Sequence, residues 1–159
     1  MFFKSQFFWR TYLAYLVIVL LSTVTLAVLL ANVSRRNAMI DIDSNLNSQA
    51  ELLALNVINP SLNLDYEAIR QVVERFADAS GSRFTVIDAN GVVLADSHES
   101  PFRMENHLSR PEIQEALIRG SGQALRYSQT LEQDFRYYAL PVYTDERLIS
   151  FVRTAYSFA

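Results

Sequence analysis

Arginine and tyrosine side chains recur along three short segments in the last third of the chain. Arg126 and Tyr127 share one segment, Tyr137 and Tyr138 the next, and Arg153 lies in the last. A guanidinium group supplies bidentate donors to a carboxylate or phosphate, and a phenol ring supplies a rigid amphipathic wall. We therefore predict a binding site for an anionic small molecule. The predicted binding residues are Arg126, Tyr127, Tyr138 and Arg153.

The same arginines admit a second interpretation. In it they are edge or rim residues of a sheet, and they pair with Glu132 or Asp134. An enclosed pocket that contains an arginine favours a small-molecule ligand. A filled domain with an exposed apolar patch favours a protein partner instead.

A long polar segment holds the two histidines, His98 and His107, together with several acids. Imidazole and carboxylate suit several divalent metal ions, yet no H-E-x-x-H motif or comparable ligand spacing is present. Short polar side chains readily hydrogen-bond the backbone of their own loop. We therefore predict no metal site. A structural role in the loop is assigned to Asp96, Asn106, His107 and Arg110.

Composition and motifs exclude several classes of function. The 159-residue chain carries a formal charge of −3, so no global basic field recruits nucleic acid. It has no cysteine, which removes disulfides and thiolate metal sites. It also has no G-x-S-x-G motif, no P-loop and no dinucleotide-binding glycine motif. We expect no cofactor and no nucleic-acid partner, and we expect that the chain is not an enzyme.

An uncharged apolar run covers residues 11–31, about the twenty residues that a bilayer core requires of a helix. The run is longer than the apolar core of a signal peptide, and it lacks an A-x-A cleavage pattern. We predict an uncleaved transmembrane helix, preceded by a cytoplasmic tail over residues 1–10. The rest of the chain is expected outside the cytoplasm, because a large domain is translocated with little regard to its charge.

Apolar residues recur at three- and four-residue steps after the membrane segment, which is the period of one helical face. The pattern predicts that a helix over residues 32–58 continues the membrane helix, and Asn59 and Pro60 are expected to stop it. We predict that its apolar face forms a dimer contact and the route of a signal. The residues of that face are Met39, Ile42, Leu46, Leu53 and Val57.

The pattern over residues 59–159 begins with a second helix. Asp65 is expected to cap its start, and Ser80 and Gly81 to end it. A further short helix is predicted from Pro111, because proline is well tolerated in the first turn of a helix.

Five segments rich in β-branched and aromatic residues predict strands over 83–88, 92–96, 124–129, 135–142 and 148–156. Asn90 and Gly91 favour a tight hairpin between the first two. A long loop over residues 97–109 precedes the short helix that leads to the third strand. This order of elements predicts an α+β domain with an antiparallel sheet.

Three segments resemble the extracytoplasmic sensor domain of membrane-bound histidine kinases: RFTVIDANGVVLADS, MENHLSRPEI and FRYYALPV. Within that family, the chain resembles sensor kinases of the phosphate-regulon type, whose sensors are PAS-like domains of the PDC or Cache kind. The most specific element combines several unusual residues at fixed offsets. They are Asp96-Ser97, Met104, Asn106-His107 and Arg110-Pro111-Glu112.

The resemblance implies a PAS-like five-stranded antiparallel sheet packed on a long N-terminal helix, with a homodimer as the working unit. It also implies that a second transmembrane helix, a HAMP linker, a phosphoacceptor helix and an ATP-binding domain follow Ala159. The implied function is the sensor module of a two-component system, held in the cell membrane and transmitting an outside stimulus across it. A second hypothesis is a protein-interaction module that binds another membrane or periplasmic protein and no small molecule.

Overall fold

The computed structural model describes residues 3–128 and 133–158. The chain divides into two compact units, Met1–Asp41 and Ile42–Ala159. The helices are α1 (Phe3–Leu62), α2 (Tyr66–Ser80) and α3 (Pro111–Arg119), with a short 3₁₀ turn at Pro101–Arg103. The strands are β1 (Arg83–Asp88), β2 (Val93–Asp96), β3 (Gly122–Ser128), β4 (Gln133–Thr144) and β5 (Arg147–Phe158).

The five strands form one antiparallel sheet in the order β2-β1-β5-β4-β3. The predicted α+β fold, with a five-stranded antiparallel sheet and a long N-terminal helix, is confirmed. Strands β4 and β5 are longer than predicted, and the predicted third strand starts two residues earlier, at Gly122. Its predicted last residue, Gln129, lies outside the described residues.

The N-terminal unit consists of the first part of α1. In the described part of the chain, α1 is the helix that is long and apolar enough to cross a membrane. Its large side chains from Phe7 to Val33 are exposed, which an aqueous helix avoids and a lipid-embedded helix requires. The boundaries 11–31 stay a prediction.

The helix α1 does not stop at Asn59 and Pro60 as predicted, but ends at Leu62. Pro60 removes one N–H donor, yet it stands in the last turn, where the helix is already ending. Leu64 adopts a left-handed φ of 51°. The backbone N–H of Asp65 then donates to the Pro60 carbonyl at 2.9 Å, and that of Leu64 to Ser61 at 3.3 Å. This pair of bonds is a Schellman motif, and it ends the helix.

The start of α2 is capped as predicted. The Asp65 carboxylate accepts a hydrogen bond from the backbone N–H of Ala68 at 3.0 Å. Gly81 follows the helix with a left-handed φ of 69°, and its N–H donates to the Ala77 carbonyl. The predicted hairpin between β1 and β2 is also confirmed. Of the Asn-Gly pair, only Gly91 has a positive φ.

The main core lies between the sheet and the two helices α1 and α2. Its fully buried residues from α1 are Leu46, Ala50, Leu53 and Val57. They meet a sheet face built from Phe84, Val86, Ala95, Tyr138, Val142 and Val152. Three of the five residues predicted as a dimer face are therefore already buried within the chain's own domain. The reason is that a sheet needs one apolar helical face to cover it.

A second, smaller apolar cluster lies on the other side of the sheet, where α3 packs. Its buried members are Ile87, Val93, Ile113, Ala116, Ala139 and Phe151. Strand β3 approaches α3 so closely that a Cβ on Gly122 would collide with the Glu112 carbonyl and the Ala116 amide nitrogen. Glycine at this position therefore allows α3 to lie against the sheet, and this close approach brings the Glu112 side chain to the sheet surface.

Candidate functional site

A cavity of about 480 Å³ lies on the α3 side of the sheet, next to the loop that follows β2. Its lining residues are Arg83, Glu99, Arg103, Met104, Glu105, His107, Arg110, Arg126, Tyr127, Tyr137 and Arg153. Five of the eleven are arginines. A cavity of this size falls in the range of small-molecule sites, roughly 300 to 1,000 Å³.

The alternation of β5 directs Arg153 into this cavity. Residues directly opposite each other on paired strands share a face, and Arg153 lies opposite Thr85 of β1 and Ala139 of β4. The next residue, Thr154, lies on the other face, where its hydroxyl donates to the Leu46 carbonyl of α1 at 3.0 Å. Adjacent residues of β5 thus point to opposite faces, Arg153 to the cavity and Thr154 to the main core.

Two arginines share a single carboxylate. Arg153 Nη1 donates to Glu112 Oε1 at 3.2 Å, and Arg126 Nη2 lies 3.5 Å from the same oxygen. Both guanidinium carbons also lie against the Tyr137 ring, at 4.7 Å from its centroid for Arg126 and 4.8 Å for Arg153. Arg153 is 2% exposed and the Glu112 side chain 0%. This pair of cations on one anion is the centre of the site.

The acid at this centre differs from the two considered from the sequence. Among the described residues, Glu112 of α3 is the carboxylate that pairs with both Arg126 and Arg153. Glu132 lies outside the described residues. The pairing is therefore internal to a cavity and not an exposed ion pair at the rim of a sheet.

Several polar atoms of this cluster are buried without a partner among the described residues. They include the Nε atoms of Arg110, Arg126 and Arg153 and Oε2 of Glu112. Buried donors normally make a hydrogen bond, and a buried donor left without one lowers stability by about 1 to 3 kcal/mol. Three arginines of the cavity thus have Nε donors that their described protein neighbours leave unsatisfied.

A second ion pair closes the cavity on the β1 side. Arg83 Nε donates to both carboxylate oxygens of Asp96 at 3.1 Å, and the Thr85 hydroxyl donates to Oδ2 at 2.7 Å. Thr85 in turn accepts a hydrogen bond from Arg153 Nη2 at 3.1 Å. Burial on its own raises the pKa of Asp96, but the charge of Arg83 and the hydrogen bonds outweigh it and lower that pKa.

Asp96 also contacts the start of the long loop. Its Oδ1 accepts hydrogen bonds from the backbone N–H groups of His98 at 2.9 Å and Glu99 at 3.0 Å. A carboxylate that accepts two successive N–H groups holds a tight turn of the backbone. These contacts are those expected for the structural role predicted for Asp96.

The other end of the loop is held by the hairpin between β1 and β2. Asn106 Nδ2 donates to the Asn90 carbonyl at 2.8 Å, and the His107 backbone N–H donates to the Gly91 carbonyl at 2.8 Å. A Cβ on Gly91 would collide with the Asn106 side chain and with Leu108. Glycine is therefore needed here for close approach as well as for its φ of 87°.

His107 lines the cavity as a neutral imidazole. Its Nδ1 lies 2.7 Å from the Glu105 carbonyl, and a carbonyl only accepts, so Nδ1 carries the proton. Burial, followed by the charges of Arg153, Arg110 and Arg126, lowers the pKa of His107 to about 4, although the hydrogen bond to the Glu105 carbonyl acts to raise that pKa. The pocket thus disfavours an additional positive charge.

Arg110 has two roles. Its backbone N–H donates to the His107 carbonyl at 3.0 Å within the loop, and its side chain lines the cavity. Its guanidinium lies 3.6 Å from Glu105, whose side chain is 89% exposed. In the described part of the chain, no group of three or more His, Cys, Asp or Glu residues is placed to hold a metal ion.

Three of the four predicted binding residues line the cavity: Arg126, Tyr127 and Arg153. Tyr138 does not, because it lies on the opposite face and packs in the main core. Its neighbour Tyr137 lines the cavity instead.

Several charged residues of the site have no role in the sequence-based prediction, among them Glu112 and Arg83. Glu112 belongs to the Arg110-Pro111-Glu112 group, but that group does not show that it faces the arginines. Arg83 begins the first predicted strand two residues before Thr85, and side chains at this spacing share one face of a strand. That spacing is a signal that a search for charged residues on one sheet face would have found.

No protein-family model and no curated protein sequence matches the chain. Solved structures do match. The ligand-binding domain of the Campylobacter jejuni chemoreceptor Tlp3 in complex with 4-methylisoleucine is 17% identical, with a TM-score of 0.62 over 75% of this chain and 52% of that one. The sensor domain of the Vibrio cholerae histidine kinase DctB is 17% identical, with a TM-score of 0.58 over 72% and 49%.

A third structure of this kind is the ligand-binding domain of the Pseudomonas fluorescens chemoreceptor CtaA in complex with L-isoleucine. It is 15% identical, with a TM-score of 0.58 over 76% of this chain and 50% of that one. The chain thus spans about half the length of the domains that it matches. At these identities the likeness is one of fold, and that fold is shared with sensor domains of chemoreceptors and of a histidine kinase.

Proposed function

We propose that the chain is a membrane-anchored sensor module that binds a small anionic molecule in the arginine-lined cavity. The observation that carries this proposal is the pair Arg126 and Arg153, which converge on one buried carboxylate beside a cavity of about 480 Å³. Guanidinium groups in a recess with limited water bind carboxylates and phosphates strongly, because their donors match these groups geometrically.

The solved structures of similar fold support a ligand-binding role. Two of them hold 4-methylisoleucine and L-isoleucine, each of which carries a carboxylate. The arginine-lined cavity of this chain favours ligand binding over the alternative of a protein-interaction module. That alternative predicts a filled domain, whereas this domain has a recess lined by five arginines.

Signal transmission follows the chain connectivity in this proposal. Residues 59–159, together with the part of α1 that packs on the sheet, form the domain outside the cytoplasm. The helical segment 32–58 connects this domain to the membrane, residues 11–31 cross the membrane and residues 1–10 are cytoplasmic. A ligand can transmit a signal only if it favours one of two arrangements of the module. We propose that the two arrangements are two packings of a homodimer. Residues of α1 that the domain core does not use, such as Leu52 and Leu55, are exposed and available to contact the partner.

The wider assignment is a sensor histidine kinase of the phosphate-regulon type. It rests on the resemblance of the Asp96 to Glu112 region, and the likeness of fold to the sensor domain of DctB agrees with it. In this proposal the chain itself performs no catalysis, and the kinase activity belongs to domains that follow it in the complete receptor.

The binding proposal can be tested with conservative replacements. Arg126→Lys and Arg153→Lys keep the positive charge but remove the planar fork. Calorimetric titration of the full chain in nanodiscs would use succinate, inorganic phosphate, L-aspartate and L-isoleucine as probes. At least one of them should bind, and each replacement should weaken that binding by about tenfold, equivalent to about 1.4 kcal/mol.

The matched control is Arg119→Lys on α3, which changes the same residue type in an exposed pair with Glu115. It should bind each probe as the unaltered chain does. Equal affinity in all three variants would place the binding site elsewhere. Absence of binding by every probe would contradict the proposed function.

A further inference from the structure

We infer that the cavity selects small dianions without an ammonium group, and rejects the zwitterionic amino acids held by domains of similar fold. The inference rests on the proposed function and specifies its ligand. It follows from the charges around the cavity, which leave positive charge uncompensated and leave no lining carboxylate free for a cationic group.

The first surplus charge lies at Glu112. One carboxylate at this position faces two guanidinium groups, at 3.2 Å for Arg153 and 3.5 Å for Arg126. Both cations are also held against the same Tyr137 ring. One anion cannot neutralise two cations, so this buried cluster carries one net positive charge.

A second surplus lies at Arg110. Its carboxylate partner is Glu105 at 3.6 Å, and that side chain is 89% exposed. Water and salt screen an exposed carboxylate, so it compensates a neighbouring cation only weakly. Arg110, like Arg126 and Arg153, keeps a buried Nε without a partner among the described residues. Two negative charges on a ligand match these two surplus positive charges.

The carboxylates nearest to the cavity are already engaged. Asp96 binds Arg83 at 3.1 Å and Glu99 lies 3.9 Å from Arg103. Glu105 is 89% exposed, so water and salt screen it from a cation in the cavity as they screen it from Arg110. Glu112 has a free Oε2, but its side chain is 0% exposed and is not part of the cavity lining. An ammonium group that entered the cavity would therefore find arginines and no unpaired carboxylate.

The lowered pKa of His107 indicates that the cavity disfavours a positive charge. It lines the cavity, and burial together with the charges of Arg153, Arg110 and Arg126 keeps its pKa at about 4. The same two effects act on an ammonium group placed among these side chains, because both disfavour a desolvated cation near other cations.

Calorimetric titration of the full chain in nanodiscs tests the inference with matched probes. Succinate and L-aspartate have the same carbon skeleton and differ by one ammonium group. L-isoleucine represents the neutral zwitterions, and inorganic phosphate represents a dianion without carboxylates. We expect succinate or phosphate to bind at least about tenfold more tightly than L-aspartate, with L-isoleucine the weakest, since like charges in contact oppose binding. Whichever of the two dianions binds more tightly identifies the anionic group that the cavity prefers.

The outcomes separate this inference from the proposed function. If L-aspartate or L-isoleucine binds as tightly as both dianions, the charge selectivity is wrong while the binding function stands. If none of the four probes binds, the proposed function fails and the inference fails with it. An introduced carboxylate sharpens the test, because Arg126→Glu should reverse the preference between succinate and L-aspartate. The control Arg119→Glu should leave that preference unchanged.

Discussion

The two faces of the sheet use the same strands for opposite purposes. The face toward α1 and α2 is apolar, and residues such as Val86 and Val152 belong there to the same buried cluster as Leu53. The other face places Arg153 and Thr85 beside Glu112 in a cluster of buried charges. Packing on the first face is non-directional, whereas each contact on the second depends on a specific donor and acceptor.

The comparison shows how a small domain can bury charge without losing its core. Alternation along β5 sends Val152 and Thr154 to the main core and Arg153 to the cavity. Buried charges contribute little net stability, even when they are paired. We therefore assign stability mainly to the apolar face and ligand recognition to the charged face.

The largest expected effect comes from breaking one buried contact on each face. Glu112→Gln leaves two guanidinium groups without their carboxylate and should lower the free energy of unfolding by about 3 to 5 kcal/mol. Leu53→Ala opens a cavity in the main core and should cost about 2 to 5 kcal/mol. Thermal unfolding of the full chain in detergent micelles, with and without succinate, distinguishes the two losses. Succinate should raise the melting temperature of Glu112→Gln more than that of Leu53→Ala.

The control for the apolar face is Leu52→Ala, since Leu52 is 56% exposed on the same helix. It should change the free energy of unfolding by no more than about 0.5 kcal/mol. Equal stabilisation of the Glu112 and Leu53 variants by succinate would contradict the division of roles between the two faces.

The next effect is a pH dependence that belongs to the charged face. The pKa of His107 is about 4 in the folded chain and near 6.5 when unfolded. The unfolded state therefore binds the proton first as the pH falls, and stability is lost between pH 6.5 and 4. The loss is about 3 kcal/mol at the lower end, from about 1.36 kcal/mol per pH unit. Unfolding measured across this range should show it, and His107→Gln should remove most of it.

Two comparisons identify the source of this pH dependence. Partial burial and the charge of Arg83 also lower the pKa of His98, but His98 is exposed, so His98→Gln should leave most of the pH dependence. The lowered pKa of Asp96 contributes stability that is lost only as the pH falls below its ordinary value of 3.8, outside the range assigned to His107. An undiminished slope in His107→Gln would show that another group is responsible for the pH dependence.

The smallest effect compares two threonines, one on each face. Thr154→Val removes a hydrogen bond of 3.0 Å to the Leu46 carbonyl but leaves an apolar side chain in the main core. It should cost about 0.5 to 1.5 kcal/mol. Thr85→Val leaves both Asp96 and Arg153 short of a partner and should cost more, about 1.5 to 3 kcal/mol, because its partners are charged. Denaturant unfolding of both variants measures the difference, and equal costs would contradict it.

The local elements of this protein could be predicted from the sequence because their signals are local. The Asp65 cap, the Gly91 turn and the β-branched strands each depend on a few neighbouring residues. The apolar face of α1 can also be predicted from the sequence, but the surface that packs against this face cannot. The same stripe fits a second copy of the chain or its own sheet, and the structure buries most of it against the sheet.

The site itself was decided by tertiary structure. The sequence shows that Tyr137 and Tyr138 point to opposite faces, but only the register that sets Ala139 opposite Arg153 shows which one joins the arginines. Glu112 reaches Arg153 from 41 residues away because Gly122 lets α3 approach the sheet. Alternation and capping are properties of neighbouring residues, whereas a shared carboxylate depends on distances between segments that only the folded chain brings together.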